Sequence, residues 1–461
     1  MLTSDASPDE IDDQIAAFLR RGFSEASGSA EATMKPAVLL ATTSRWYPTA
    51  RLTTALASAG CKVEAVCPAG HPLRKTKSVR RAHVYHGLAP LVSFARAISL
   101  TQPDFIVSGD DLATQHLHRL YAQQQSSGKA DSPICALIAR SLGSPDSFPV
   151  VSARAAFMDV AHEEGVRVPS TQVIRNMDDL RNWVARTGFP TVLKANGTSG
   201  GDGVRIVHTL AEAERCFNDL QAPPLLARAV KRALVDQDKT LVWPSILRRR
   251  PVVNAQAFIA GQEATSTIFC WKGAVLASLH FEVVNKASSA GHATVVRLIE
   301  NAEMSTAVEG MVRRLSLSGF YGFDFMLESD TGDAYLIEVN PRSTQVGHLS
   351  LGAGHDLPAA LYAALSGKPV QPSPKVTEKD TVALFPQEWI RDPESPFLRT
   401  AYHDVPWEEP ELIRDCVSNR RKQSAWYSRS DGKPASSAVR SPKSVATPAE
   451  SRAVGLDWGG K

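Results

Sequence analysis

The sequence predicts an N-terminal parallel α/β domain followed by an α+β module, on three observations. Buried apolar runs alternate with helical stretches between residues 34 and 149, and short strands with hairpin-like turns replace that alternation after about residue 150. At 461 residues with 43% hydrophobic side chains, the chain is also long enough to bury more than one core. Taken in order, residues 1–33, rich in Ser, Ala, Asp and Glu, read as a disordered tail with a weakly amphipathic patch from Ile11 to Leu19. Ala37–Thr42 reads as a buried strand, Tyr47–Ala59 as a helix closed by Gly60, and Lys62–Cys67 and Asp104–Ser108 as further strands. Strand then helix, repeated, implies parallel strands joined by right-handed crossovers.

The pattern changes near Val150. Ala153–Glu164 reads as a helix capped by Ser152 and stopped by Gly165. Strands follow at Pro190–Ala195, Val204–Val207, Val252–Ile259, Glu263–Trp271, Ala274–Val284 and Ala293–Ile299, within a module expected to span 150–370 with a lid at about 186–260. Residues 371–427 carry Phe385, Trp389, Phe397, Tyr402 and Trp407, which suggests an arm packed on the body with a substrate-side cover as the alternative. Residues 428–461 read as a second disordered tail.

Composition excludes several classes. The 51 basic and 48 acidic residues are interspersed and leave a net charge of only +3, with no basic stripe to neutralise nucleic-acid phosphates. Cys61, Cys67, Cys135, Cys216, Cys270 and Cys416 show neither CxxC nor zinc spacing, so core packing in a reducing compartment is expected. The acidic N-terminus is unlike a secretory leader and no apolar stretch reaches the length of a membrane span, which together predict a soluble cytoplasmic protein without a membrane partner.

Three segments carry chemistry. Phe323–Arg342 (FDFMLESDTGDAYLIEVNPR) reads as a β-hairpin, and a turn centred on Thr331 sets Asp324 opposite Glu338, roughly 5 Å apart, with Asn340 on the same face. Two facing carboxylates repel, and a hard divalent cation with oxygen ligands is a direct remedy; a solvated hairpin face is the bland alternative. Val192–Val204 (VLKANGTSGGDGV) delivers Lys194 into a loop containing Gly197, Thr198, Ser199, Gly200, Gly201 and Gly203, whose backbone N–H groups can approach phosphate oxygens, although a Gly-rich turn is as often a plain hairpin. Gln256–Glu263 (QAFIAGQE) offers an apolar grip for a flat base and an acidic side chain for a ribose, or simply a hairpin with an exposed Glu.

Taken in chain order, the helix with the basic residue Arg154, the Lys194–glycine loop, the Gln256–Glu263 strand and the Phe323–Arg342 hairpin resemble the ATP-grasp superfamily, of the carbamoyl phosphate synthetase large subunit and D-alanine:D-alanine ligase type, over about Val150–Gly367, with the preceding α/β domain similar to the one that usually precedes the module. The resemblance implies that Arg154 and Lys194 bind nucleotide phosphates, that Phe258 and Ile259 line the adenine site, and that Glu263 binds the ribose. It implies that Thr198, Ser199, Gly200, Gly201 and Gly203 close over the γ-phosphate, and that Asp324, Glu338 and Asn340 hold two Mg²⁺ ions, with Mn²⁺ the substitute. Arg342 would act with Lys194 in catalysis by stabilising the acyl phosphate or the tetrahedral intermediate. The implied activity is an ATP-dependent ligase joining a small-molecule carboxylate to an amine.

Departures narrow this. Where biotin carboxylases carry QVEH, this chain has Gln345, Val346, Gly347 and His348, which argues against carboxylation. A second copy of the module and a glutaminase-like segment are both missing, which argues against a full carbamoyl phosphate synthetase. A phosphotransferase or a decayed nucleotide-binding scaffold are the rivals, and a homodimer is the base-rate expectation. Asp110 is a candidate for holding the amine and Arg297 for holding the carboxylate, against a structural role for each, while His348 and His355 read as packing or capping histidines.

Overall fold

The structure, a computed structural model, describes residues 35–196, 203–223, 247–248, 250–288 and 291–419. Both expected tails, the Ile11–Leu19 patch, and Gly197, Thr198, Ser199, Gly200 and Gly201 lie outside the described residues.

The first sheet comprises β1 (Ala37–Ala41), β2 (Lys62–Cys67), β3 (Val79–Val84) and β4 (Phe105–Ser108), all parallel in the order β3-β2-β1-β4. The run AVLLA is apolar throughout because helices cover both faces of a parallel sheet. Val38 and Leu40 meet α1 (Tyr47–Ser58), while Leu39 and Ala41 meet α2 (Pro90–Thr101), α3 (Asp111–Ser126) and α4 (Pro133–Leu142).

Two short helices then lead out of this layer, α5 (Phe148–Ser152) and α6 (Arg154–Glu163). Ser152 is not the expected cap. It closes α5, and the extended Ala153 (φ −123°, ψ 106°) opens α6 without a side-chain hydrogen bond. A five-residue helix beginning at Phe148-Pro149 is too short to show a period in sequence. Gly165 stops α6 as expected, at φ +77°.

A small antiparallel sheet follows, in the order β5-β8-β6-β7: β5 (Thr171–Ile174), then α7 (Met177–Thr187), β6 (Thr191–Ala195), β7 (Val204–Val207), α8 (Leu210–Gln221) and β8 (Val253–Ala257). It draws in β5, well before the expected lid boundary at 186, because the four residues TQVI carry too little alternation to read as a strand. Leu180, Trp183 and Phe217 of its helices pack on Leu193, Val253 and Ala255.

The large sheet has the order β13-β12-β9-β10-β11-β14-β15. Its strands are β9 (Gly261–Trp271), β10 (Ala274–Lys286) and β11 (Ala293–Leu298), then β12 (Gly319–Glu328) and β13 (Ala334–Asn340) after α9 (Ala302–Arg314), and β14 (Thr381–Ala383) and β15 (Tyr402–His403) after α10 (Leu357–Ser366). One face buries Ile268, Phe323 and Phe325 against α6 and α9; the other buries Phe269, Leu279 and Phe281 in a core shared with the parallel layer. Of the expected arm 371–427, the described residues 371–419 do more than wrap: they contribute two strands, and Leu412 and Cys416 enter the same shared core, while Trp407 stays 76% exposed. None of the six cysteines is disulfide-bonded and five are buried, and no described helix is long and apolar enough to cross a membrane.

The loop after β1 is held by His71, which is fully buried. Nδ1 accepts the Leu73 N–H at 3.0 Å, and in the tautomer this assigns, Nε2 donates to the Ser44 carbonyl at 2.9 Å. Burial, only partly offset by the Ser44 bond, lowers the pKa of His71 from 6.5 to about 3. The unfolded chain then binds a proton that the folded chain refuses, so this stabilisation is intact above about pH 6.5 and drains as the pH falls from there toward 3. Urea unfolding followed from pH 7 to 4.5 should show stability falling with acidification, and His71→Gln should flatten that slope by up to about 1 kcal/mol per pH unit. An unchanged slope would assign the effect to other buried histidines such as His116 and His118, whose pKa values are about 4.

Candidate functional site

The β12–β13 hairpin forms one edge of the large sheet, and its register pairs Asp324 with Glu338 and Gly322 with Asn340. Alternation sets the orientation: Phe323 and Phe325 enter the core beneath α6 and α9, so Asp324 projects from the opposite face. Immediately beyond, the register slips and Phe325 pairs with Leu336, leaving Ile337 as the extra residue of a β-bulge. The Ile337 carbonyl accepts Lys194 Nζ from β6 and Gln256 Nε2 from β8, each at 3.4 Å. The bulge is thus where the small sheet docks on the hairpin.

Cations converge on the two carboxylates. Arg154, at the first position of α6, forms an ion pair with Glu338. Asp324 accepts Thr265 Oγ1 at 2.9 Å and Asn340 Nδ2 at 2.8 Å. Burial, followed by repulsion from Glu338, raises the Asp324 carboxyl to about 6 despite those two hydrogen bonds. Lys194 is only 5% exposed, and burial lowers its ammonium to about 8 although Glu338, Asp324 and Glu263 pull it upward. Arg154 keeps Nη1 buried with no hydrogen-bond partner among the described residues. A buried donor left in that state costs about 1–3 kcal/mol, which an arriving anion would recover.

Arg342, just past β13, is held on several sides. Nε donates to Asp111 at 3.3 Å, Nη1 to the Ser343 carbonyl at 3.1 Å and Nη2 to Asn340 Oδ1 at 3.3 Å, and the ring of Trp46 lies 5.3 Å from the guanidinium carbon. Burial works against its charge, but Asp111, with help from Asp324 and Asp110, outweighs it and raises the pKa above the usual arginine value. The Asp111 carboxyl is itself raised by burial.

Glu263 lies on β9 two residues before Thr265 and pairs with Lys286 at 2.6 Å. Phe258 and Ile259 are half-buried on the crossing between β8 of the small sheet and β9 of the large one. Gly203 is buried at the entry to β7, its carbonyl accepting the Ala195 N–H at 2.9 Å; Thr198, Ser199, Gly200 and Gly201 cannot be placed, being outside the described residues.

Asp110 has a structural duty instead of a free carboxylate. It accepts Thr42 Oγ1 at 2.7 Å, Thr43 N at 2.6 Å and Oγ1 at 2.8 Å, and caps α3 through Ala113 N at 2.9 Å. Arg297 pairs with Glu282 at 2.9 Å. His348 donates into a buried cluster with Asp404 (2.8 Å) and Arg51, and His355 Nδ1 meets the Ser278 carbonyl at 2.6 Å, both as packing histidines. Sequence reasoning missed Trp46, Thr265 and Lys286, and it gave no individual role to Asp111, at the carboxyl end of a parallel strand, or to Gln256, in the QAFIAGQE segment. Of the missed three, Thr265 left a signal, since alternation puts it on the face of Glu263.

The donor set fits a hard cation. No group of three or more His, Cys, Asp or Glu is gathered for a metal among the described residues. What stands together is two carboxylates and an amide, oxygen donors of the kind Mg²⁺ takes, with the Asp324 carboxyl raised first by burial and then by the facing Glu338.

Residues 153–353 match the family described as the carbamoyl-phosphate synthase L chain, ATP binding domain. Curated relatives include the carbamoyl phosphate synthase large chain of Mesorhizobium japonicum, 23% identical over 211 residues that make up 44% of this chain and 18% of the relative. That of Xanthomonas campestris pv. campestris is 25% identical over 231 residues, 49% of this chain and 20% of the relative. The match therefore spans about a fifth of the length of these relatives. Among solved structures, N5-carboxyaminoimidazole synthetase from Staphylococcus aureus, complexed with ADP, has a TM-score of 0.50 at 13% identity and covers 74% of this chain and 80% of its own. A biotin carboxylase from Campylobacter jejuni has a TM-score of 0.50 at 13% identity, covering 74% and 73%. At such identities these two structures establish a common fold.

The buried ammonium of Lys194 predicts opposite effects on stability and binding. Lys194→Met, similar in length and free of desolvation cost, should leave the thermal midpoint unchanged or higher while weakening binding of a polyphosphate ligand by tenfold or more, on the order of 1.4 kcal/mol. Thermal melts and calorimetric titration with ATP and Mg²⁺ check both; equal affinity in the variant would remove Lys194 from the site.

Proposed function

We propose that this chain, which has the ATP-grasp fold, is an ATP-dependent ligase that joins a small-molecule carboxylate to an amine through an acyl phosphate. The observation that carries the reading is the opposed pair Asp324 and Glu338 ringed by Arg154, Lys194 and Arg342, three cations drawn from three different parts of the chain. Such a ring suits a triphosphate brought in with its metal. Support for the nucleotide comes from the two fold neighbours, solved as an ADP complex and as a beta-gamma-ATP complex.

In this reading Lys194 and Arg154 bind the nucleotide phosphates, with Thr198, Ser199, Gly200, Gly201 and Gly203 closing over them. Phe258 and Ile259 flank the adenine, and Glu263 takes the ribose. Asp324, Glu338 and Asn340 would hold Mg²⁺, or Mn²⁺ in its place, which when bound neutralises phosphate oxygens. A carboxylate oxygen of the first substrate bonds to the γ-phosphorus as the bond to the β-γ bridging oxygen breaks, releasing ADP. The amine nitrogen then attacks the acyl carbon, phosphate departs with the bonding pair, and the amine proton is lost to solvent. Arg342 stabilises the oxyanion of the second step, and both steps draw their rate from positioning and charge rather than from a protein base. Glu338 serves as a ligand and an anchor for Arg154. We take the protein to be cytoplasmic and to act without nucleic acid or membrane; a homodimer is the base-rate assembly.

Release of ADP and phosphate should require Mg²⁺, a carboxylate and an amine together, and hydroxylamine should intercept the acyl phosphate as a hydroxamate. Glu338→Ala should abolish release while leaving a cooperative melt. Amine-dependent phosphate release marks a ligase, whereas amine-independent ADP release with a stable phosphorylated product marks a phosphotransferase, and absence of ATP binding in the presence of Mg²⁺ would sink both.

A further inference from the structure

The turn between β4 and α3 is stitched to the turn that follows β13. The Ser343 N–H donates to the Ser108 carbonyl at 2.9 Å, Thr114 Oγ1 to the Pro341 carbonyl at 2.6 Å and Arg342 Nε to Asp111 Oδ2 at 3.3 Å, while Trp46 from the loop after β1 lays its ring 5.3 Å from the same guanidinium. We propose that Asp111 and Trp46 are positioning residues that lock the Arg342 guanidinium in its working orientation, which makes the carboxyl edge of the parallel sheet a built part of the catalytic centre. The inference rests on the ligase reading for what Arg342 does, and on geometry alone for how it is held.

A guanidinium has five N–H donors in one plane. Three are engaged, by Asp111, the Ser343 carbonyl and Asn340 Oδ1, which leaves one on each Nη for an oxyanion. The Trp46 ring gives the cation a π face to lie against. Asp111 also removes a competitor. Without it, the nearest full negative charges for a buried Arg342 would include Asp324, an oxygen donor the metal site needs. Asp110 cannot stand in, because its oxygens already hold Thr42, Thr43 and the start of α3.

The test reads Arg342 directly. In ¹⁵N-arginine-labelled full-length protein, the Nε–Hε signal that disappears in Arg342→Lys identifies the side chain, and in the wild type it should exchange with solvent at least about tenfold more slowly than exposed arginines. Asp111→Asn, which keeps the shape and drops the charge, and Trp46→Leu, which removes the ring, should each shift that signal and speed its exchange by about tenfold, with thermal midpoints close to wild type. In turnover Asp111→Asn should lower kcat by about tenfold or more with KM for ATP within about twofold, and Asp111→Glu should recover part of it. An Arg342 signal that exchanges freely in the wild type, or that neither substitution moves, overturns the proposal. So does a kcat in Asp111→Asn equal to wild type, which would leave the ligase reading standing. A locked Arg342 signal released by Asp111→Asn or Trp46→Leu, in a protein that never releases ADP, would sustain the positioning role while the ligase reading fell.

Discussion

Two carboxylates facing each other across one rung of a hairpin organise this molecule. Asp324 and Glu338 lie on an edge hairpin whose other face is locked into a Phe-rich core, so neither can turn away without exposing Phe323 and Phe325. Their repulsion has to be met from outside the hairpin. Arg154 comes from α6, Lys194 from the small sheet, and Arg342 from the turn after β13, where Asp111 of the parallel layer holds it. The acids Asp324, Glu338 and Asp111 then balance the bases Arg154, Lys194 and Arg342 in number.

That balance explains the odd energetics of the centre. Lys194 and Arg154 are cations held largely out of water, one on a long bond to a carbonyl and the other with an idle buried Nη1. As contributions to stability such groups are poor, since desolvation can exceed the Coulombic gain. The depressed pKa of Lys194 and the raised pKa of Asp324 both come first from burial, which disfavours the charged form of each. The same interaction places the small sheet: Lys194 and Gln256 reach the bulged Ile337 carbonyl, so the bulge that interrupts the ladder also provides the docking point.

The rest of the architecture holds the three layers in register around this point. The parallel sheet and the large sheet share one core through Phe105, Phe269 and Leu279, and β14, β15 and the helix Pro410–Ser418 close it from the C-terminal side. The cluster of Arg51, Asp404 and His348 joins α1, the segment after β15 and the loop after β13, and so ties the ends of the described chain to the strand that bears Glu338 and Asn340.

The sequence by itself determined whatever depends on local period and short-range pairing. The AVLLA run, the switch from strand–helix alternation to hairpins, the register of Asp324 on Glu338 and the stop at Gly165 all follow from spacing along the chain, because a strand repeats every two residues and a tight turn fixes which residues meet. Elements too short to show a period, such as α5 and β5, escaped it, and with them the true end of the helix before α6 and the true start of the small sheet. Tertiary structure alone decided the partners: that Asp110 is spent on its neighbours while Asp111 reaches Arg342, that Trp46 covers the guanidinium, and that Lys286 answers Glu263. Asp110 and Asp111 are adjacent and chemically identical, and only the direction each side chain takes from the turn between β4 and α3 separates their roles. Such directions are set by packing between layers far apart in sequence, for which no local pattern carries a trace.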